Sequence, residues 1–165
     1  MVASRLGWAI CDSDEEILGT TGRTVARLQA EIGADAMHAL EAAQLVFAVG
    51  RPGPTVICAA ASVVENERCR SALTSPGVAT VWLRASAETL AARFRSAEHR
   101  PEFGPDPRTF LDQQSSARAS LFESVSRLVI DVDHTSVAEV SDKIVSSLVK
   151  NPDPVSERAQ GGPTV

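Results

Sequence analysis

Cysteine is scarce in this chain. Cys11, Cys58 and Cys69 are the three cysteines in 165 residues, and no two stand in a C-x-x-C spacing. That excludes a disulfide scaffold and a cysteine-built metal cluster, and implies reduced thiols in a cytoplasmic protein. The three histidines, His38, His99 and His134, are scattered and give no metal-ligand spacing. Nowhere do 18 apolar residues run together, which excludes a membrane-spanning helix. The opening Met-Val-Ala-Ser-Arg-Leu-Gly-Trp lacks the charged-then-apolar layout of a secretory signal. Basic charge is also short, with 16 Lys and Arg against 21 Asp and Glu, for a net charge of −5. That balance argues against a nucleic-acid partner, which a basic face would serve. No internal repeat and no sustained heptad occurs, so repeat arrays and coiled coils are excluded too.

Apolar residues are plentiful at 44%, enough for a core without disulfides or a structural metal. Residues 1–150 fit one domain. From Asn151 to Val165 the chain carries three prolines and two glycines with almost no apolar content, and reads as a disordered tail. Short apolar runs punctuate the domain: Trp8–Cys11, Thr55–Ala59, Val78–Leu83 and Leu128–Ile130. Continuous runs of this length predict parallel strands covered on both faces. Helical patterns lie between them. Asp35 can cap a helix carrying Met37, Leu40, Glu41, Leu45 and Ala48. A second helix follows Ala85-Ser86, and Pro107 suits the first position of a long third one. Ser136-Val137-Ala138-Glu139 is a capping box opening a helix with Val140, Ile144, Val145 and Leu148 on one stripe. Strands alternating with helices predict an α/β fold, a three-layer parallel sheet flanked by helices.

In such sheets ligands bind beyond the carboxyl ends of the strands. Asp12 and Asp14 follow the first run, and in an extended segment both face one side. Paired carboxylates there can hold Mg²⁺ through water or accept a hydroxyl proton, while capping of a following helix explains them equally well. His99–Pro105 is a proline-broken loop between helices, suited to a mobile lid, and its Arg100 can meet a phosphate or stay a solvated surface group. Arg118 sits on a helix beside Ala117, Ala119 and Leu121, a setting that calls for an anion partner. His38 reads as an ordinary structural histidine. Gly19-Thr20-Thr21-Gly22 lacks a lysine and reads as a turn rather than a phosphate cradle.

Taken in order, these stretches resemble a shikimate kinase, a small-molecule kinase of the P-loop fold. Leu6–Asp14 is similar to that family's second strand and its Asp-x-Asp motif, and Thr21–Ala26 to the next turn and helix. Gly33–Glu41 resembles the helix ending in a family glutamate. Val78–Leu90 resembles the fourth strand and next helix, Arg100-Pro101 the lid, Arg118–Phe122 the later Arg-x-Pro-Leu-Tyr stretch, and Val129–Asp131 the last strand. The resemblance implies transfer of the ATP γ-phosphoryl group to a hydroxyl of shikimate or a related hydroxy acid. It implies that Asp12 assists Mg²⁺, that Asp14 binds and orients the hydroxyl, and that Arg118 grips the substrate carboxylate. Arg100 then reaches the transferring phosphate, and Arg93 lies near the adenine. A monomer acting on a small molecule is expected.

Four departures accompany the likeness. No G-x-x-x-x-G-K-[ST] occurs in the sequence, although its backbone N–H groups and lysine hold phosphates in P-loop kinases. The resemblance places Met1 within the helix after that loop, so the first, central strand is expected to be missing from the chain. Ala60-Ala61-Ser62 stands in place of a glycine-rich substrate loop, and His38 in place of a substrate-gripping arginine. Gln29 and Met37 replace aromatic residues of the pocket. Three functions compete on this basis: a shikimate kinase whose phosphate loop lies outside these residues, a catalytically dead binding relative, and a kinase for another hydroxylated acid.

Overall fold

The computed structural model describes residues 1–95 and 106–150, with the side chains of residues 94 and 95 left aside. The expected lid around Arg100 and the tail at 151–165 lie outside the described residues. The order is α1 (Val2–Leu6), β1 (Ala9–Asp12), α2 (Ser13–Thr21), α3 (Val25–Ile32), α4 (Ala34–Val49) and β2 (Thr55–Cys58). A 3₁₀ turn (Ala61–Glu65), α5 (Glu67–Leu73), β3 (Val81–Arg84), α6 (Ala87–Arg95), α7 (Pro107–Val125), β4 (Leu128–Asp131) and α8 (Val137–Lys150) complete it.

The predicted strands form, and they pair in parallel. β1 runs beside β2 with Ala9 opposite Thr55 and Asp12 opposite Cys58. β3 runs beside β4 with Val81 opposite Leu128 and Arg84 opposite Asp131. The expected parallel α/β class holds, and among the described residues its strands form two separate two-stranded sheets, β1–β2 and β3–β4. Coverage on both faces is corrected. Ile10 is 63% exposed and Leu83 50%, because each pair lacks a neighbour over part of its surface. The third strand also starts three residues later than its apolar run, at Val81.

Local chemistry explains the helix boundaries. Asp106 caps α7 by accepting from the Thr109 N–H at 3.2 Å, with Pro107 in the first turn as expected. The capping box at α8 is reciprocal: the Ser136 N–H donates to Glu139 at 2.8 Å, and the Glu139 N–H to Ser136 Oγ at 3.3 Å. Asp35 is not the cap of α4; that position belongs to Gly33, with Asp35 in the first turn. The turn expected at Gly19–Gly22 is the last turn of α2, closed by Gly22 at φ 67°, a left-handed conformation that favours glycine.

Two apolar clusters fix α4 against its neighbours. Ala42, Leu45, Val63 and Cys69 join α4 to the 3₁₀ turn and α5, with Ile57 of β2 and Leu73 packed against them. Ile17, Leu28 and Met37 join α2, α3 and α4. Burying a side chain the size of Leu45 stabilises by about 1.5–3 kcal/mol. α4 is thereby held beside the carboxyl ends of β1 and β2, where the chemistry-bearing residues gather.

Candidate active site

At the end of β1 the chain turns directly into α2. Asp12 is the last strand residue and the N-cap of the helix: its Oδ1 accepts from the N–H groups of Asp14 at 3.0 Å and Glu15 at 3.4 Å. The extended Asp12–Asp14 segment expected from the sequence is therefore corrected to a strand-to-helix turn, driven by the capping bonds. Asp14 sits in the first turn of α2, exposed, with Ser13 Oγ donating to it at 3.4 Å. A carboxylate at a helix N-terminus is favoured by the local dipole. An open hollow of about 300 Å³ lies alongside, lined by Ile10, Asp12, Glu15, Glu16, Gly19 and Thr20. It contains Asp12 but not Asp14, so the two carboxylates serve different surroundings.

The β1–β2 register carries the site across to the next loop. Cys58 stands opposite Asp12, and Ala60, Ala61 and Ser62 follow within four residues. Cys58 is exposed, yet partial desolvation by its surroundings and then the neighbouring Asp12 carboxylate push its thiol up from its ordinary range. Ser62 is buried and donates its hydroxyl to Oε2 of Glu41, itself buried on α4. This bond ties the Ala60–Ser62 stretch to α4. Ala60 is half-buried and Ala61 exposed, while His38, one turn before Glu41, is exposed on the same helix.

The anion partner expected for Arg118 is present. Its Nη2 donates to Oε2 of Glu65 at 3.0 Å, and the Arg118 side chain is 16% exposed against 45% for Glu65. Glu65 ends the 3₁₀ turn that begins at Ala61, so α7 reaches the same loop that Glu41 holds from α4. The sequence pattern missed Glu65, because a partner 53 residues from Arg118 leaves no local signal. Arg93 lies elsewhere: it donates to the Val132 carbonyl at 3.2 Å, at the carboxyl end of β4. Arg100 is outside the described residues. The structure thus joins Ser62 to Glu41 and Arg118 to Glu65 at the two ends of the same 3₁₀ turn, places Asp14 in the first turn of α2 after the strand paired with β2, and sets Arg93 beside the second sheet.

A family model described as "Shikimate kinase" matches residues 1–149. The chain belongs to the shikimate kinase family. Members of this family are ATP-dependent kinases, transferases of aromatic amino acid biosynthesis. Among curated proteins, the shikimate kinase of Rhizobium leguminosarum bv. trifolii is 31% identical over 134 residues, covering 81% of this chain and 67% of that one. That of Chlorobaculum tepidum is 32% identical over 119 residues, 72% of this chain and 61% of the relative, so the chain spans less than two thirds of that protein. That of Symbiobacterium thermophilum is 30% identical, covering 90% and 86%. Shikimate kinase from Acinetobacter baumannii in complex with shikimate superposes with a TM-score of 0.84 at 22% identity, covering 92% of this chain and 84% of that one. At that identity the likeness concerns the fold, an α/β architecture with parallel strands.

The residues present do not by themselves make the nucleotide side of a kinase site. Among the described residues no group of three or more His, Cys, Asp or Glu side chains can hold a metal ion. Asp12 already spends Oδ1 on the α2 cap. The sequence contains no G-x-x-x-x-G-K-[ST] to wrap phosphates. Among the described residues no helix is long and apolar enough to cross a membrane.

Proposed function

We propose that this chain carries the hydroxyl-substrate side of a kinase that moves the ATP γ-phosphoryl group to a hydroxyl of shikimate or a closely related hydroxy acid. The observation that supports it is the meeting of three elements at the loop after β2. Ser62 is held by Glu41 of α4, Glu65 holds Arg118 of α7, and Asp12, the strand residue opposite Cys58, is followed two residues later by Asp14 in α2. That the Acinetobacter baumannii shikimate kinase was solved with shikimate supports a substrate of this class.

In this reading Asp14 hydrogen-bonds the substrate hydroxyl and takes its proton as the new P–O bond forms. Arg118 pairs with the substrate carboxylate, a planar fork meeting a planar anion. His38, Ala60, Ala61 and Ser62 line the ring of the substrate. Arg100 approaches the transferring phosphate, and Arg93 lies toward the adenine. Mg²⁺ accompanies ATP, and Asp12 retains one oxygen for a water of the hydrated ion. The protein works as a cytoplasmic monomer on a small molecule, with neither nucleic acid nor membrane as partner.

Phosphoryl transfer depends on positioning and charge stabilisation, and one lost charge-stabilising donor costs about 10²–10³ in rate. Without a phosphate-wrapping loop in these residues, turnover by this chain alone is expected to be negligible, while substrate recognition remains. Calorimetric titration with shikimate and, separately, with Mg·ATP tests this. Shikimate is expected to bind, with at least tenfold loss in Arg118→Gln, and ATP to bind weakly. Shikimate binding unchanged in Arg118→Gln, or tight ATP binding, overturns it.

A further inference from the structure

Two arginine–carboxylate pairs, Arg84–Asp131 and Arg118–Glu65, use the same Nε/Nη2 edge of the guanidinium with different geometry. Arg84 meets Asp131 with both arms, Nε to Oδ1 at 2.6 Å and Nη2 to Oδ2 at 2.9 Å. Arg118 meets Glu65 with one arm, Nη2 at 3.0 Å, and its Nε is buried with no hydrogen-bond partner among the described residues. A carboxylate seated squarely on this edge satisfies both arms, as Asp131 does for Arg84. Glu65 leaves one unmet. The half-exposed Glu65 can swing outward into water, whereas Arg118, largely buried on α7, stays where it is.

From this contrast we infer that Glu65 is an internal competitor for the substrate carboxylate. It keeps Arg118 charged, oriented and partnered while the site is empty, and it is displaced when an external carboxylate takes both Nε and Nη2. The inference rests on the assignment of Arg118 to the substrate carboxylate made above, and it adds the residue that sets the affinity and selectivity of that subsite. An uncharged ligand cannot repay the loss of the Glu65 bond, so the exchange discriminates for a carboxylate able to engage two donors. Glu65 also joins substrate recognition to the Ala60–Ser62 loop: when it releases Arg118, the 3₁₀ turn loses its tether to α7 but keeps its tether to α4 through Ser62 and Glu41.

The test is calorimetric titration of the full chain and of Glu65→Gln, Glu65→Ala and Arg118→Gln with shikimate and with shikimate methyl ester, which lacks the charged fork. Removing the competitor is expected to tighten shikimate by about three- to tenfold, the range of a partly exposed ion pair, and to leave the ester unchanged. Shikimate affinity that is unchanged or weakened in both Glu65 variants, while Arg118→Gln still weakens it, overturns the competition and leaves the proposed function standing. Equal tightening of acid and ester points to a general loosening of the loop and also overturns it. Should neither the parent nor any variant bind shikimate, the proposed function fails, and benzoate then decides the competition separately. Tighter benzoate binding in Glu65→Gln than in the parent supports it, and equal binding overturns it.

Discussion

Ser62→Ala isolates the bond that fixes the loop after β2. The substitution keeps Cβ and removes one hydroxyl, so it opens little space; its effect falls on Glu41, a buried carboxyl group that loses its donor. A hydrogen bond to a charged group contributes about 1.5–3 kcal/mol, and stranding the buried partner places the loss toward the upper end. With a urea m-value of about 2 kcal/mol/M for a domain of this size, the midpoint is expected to fall by about 0.75–1.5 M at unchanged slope. Glu41→Gln retains an oxygen to accept from Ser62 and is expected to cost less than about 1 kcal/mol. Combining Ser62→Ala with Glu41→Leu removes the stranded group and should recover part of the single-variant loss. Urea unfolding followed by circular dichroism reads all three. A loss below about 0.5 kcal/mol in Ser62→Ala, or a larger loss in Glu41→Gln, refutes a hydrogen bond that anchors this loop.

Leu45→Ala should cost about 2–5 kcal/mol, since Leu45 is 2% exposed at the junction of α4, the 3₁₀ turn and α5; a urea midpoint within error of the parent contradicts that packing. Acid should destabilise the protein. Asp106 is held below its ordinary 3.8 by Thr109, Asp133 below 3.8 by the Ser86 N–H, and Glu139 below 4.5 by Ser136. Carboxylates lowered on folding add stability that is complete above their ordinary values and is lost as pH falls through the lower folded ones. Melting temperature should therefore be flat from pH 7 to about 5 and drop below about 4.5, and a rise on acidification contradicts the capping bonds. Cys58, exposed but with its thiol pushed up by partial desolvation and then by Asp12, should alkylate with iodoacetamide more slowly at pH 8 than a free cysteine, and faster in Asp12→Asn. Equal rates in parent and variant contradict the strand register that sets the two side by side.

The elements with local causes were legible in the sequence. The capping box at Ser136, the proline opening α7 and the four apolar runs each mark structure within a few residues of themselves, and each yields its element, the third strand starting three residues into its run. What depends on distant chain was not legible. Apolarity makes Ile10 and Leu83 suit a covered strand, but coverage is decided by which strands stand alongside, and here the strands form separate pairs. The Asp12–Asp14 spacing suggested one shared face; the capping bonds from Asp12 turned the second carboxylate into the helix instead. Arg118 declared its need for an anion through its apolar neighbours, yet Glu65 could be named only once α7 was seen against the 3₁₀ turn. The substrate side of the site therefore shows in outline through the order of its motifs, and its wiring shows in the fold.

The most direct measurement is a ¹H–¹⁵N NMR titration of the full chain with shikimate. A substrate shared by α2, α4, the loop after β2 and α7, as proposed, predicts that the amides of Asp14, His38, Ser62, Glu65 and Arg118 shift together along one binding curve. Shifts confined to one of these elements, or an Asp14 amide that stays still while Arg118 moves, would contradict a shared substrate site.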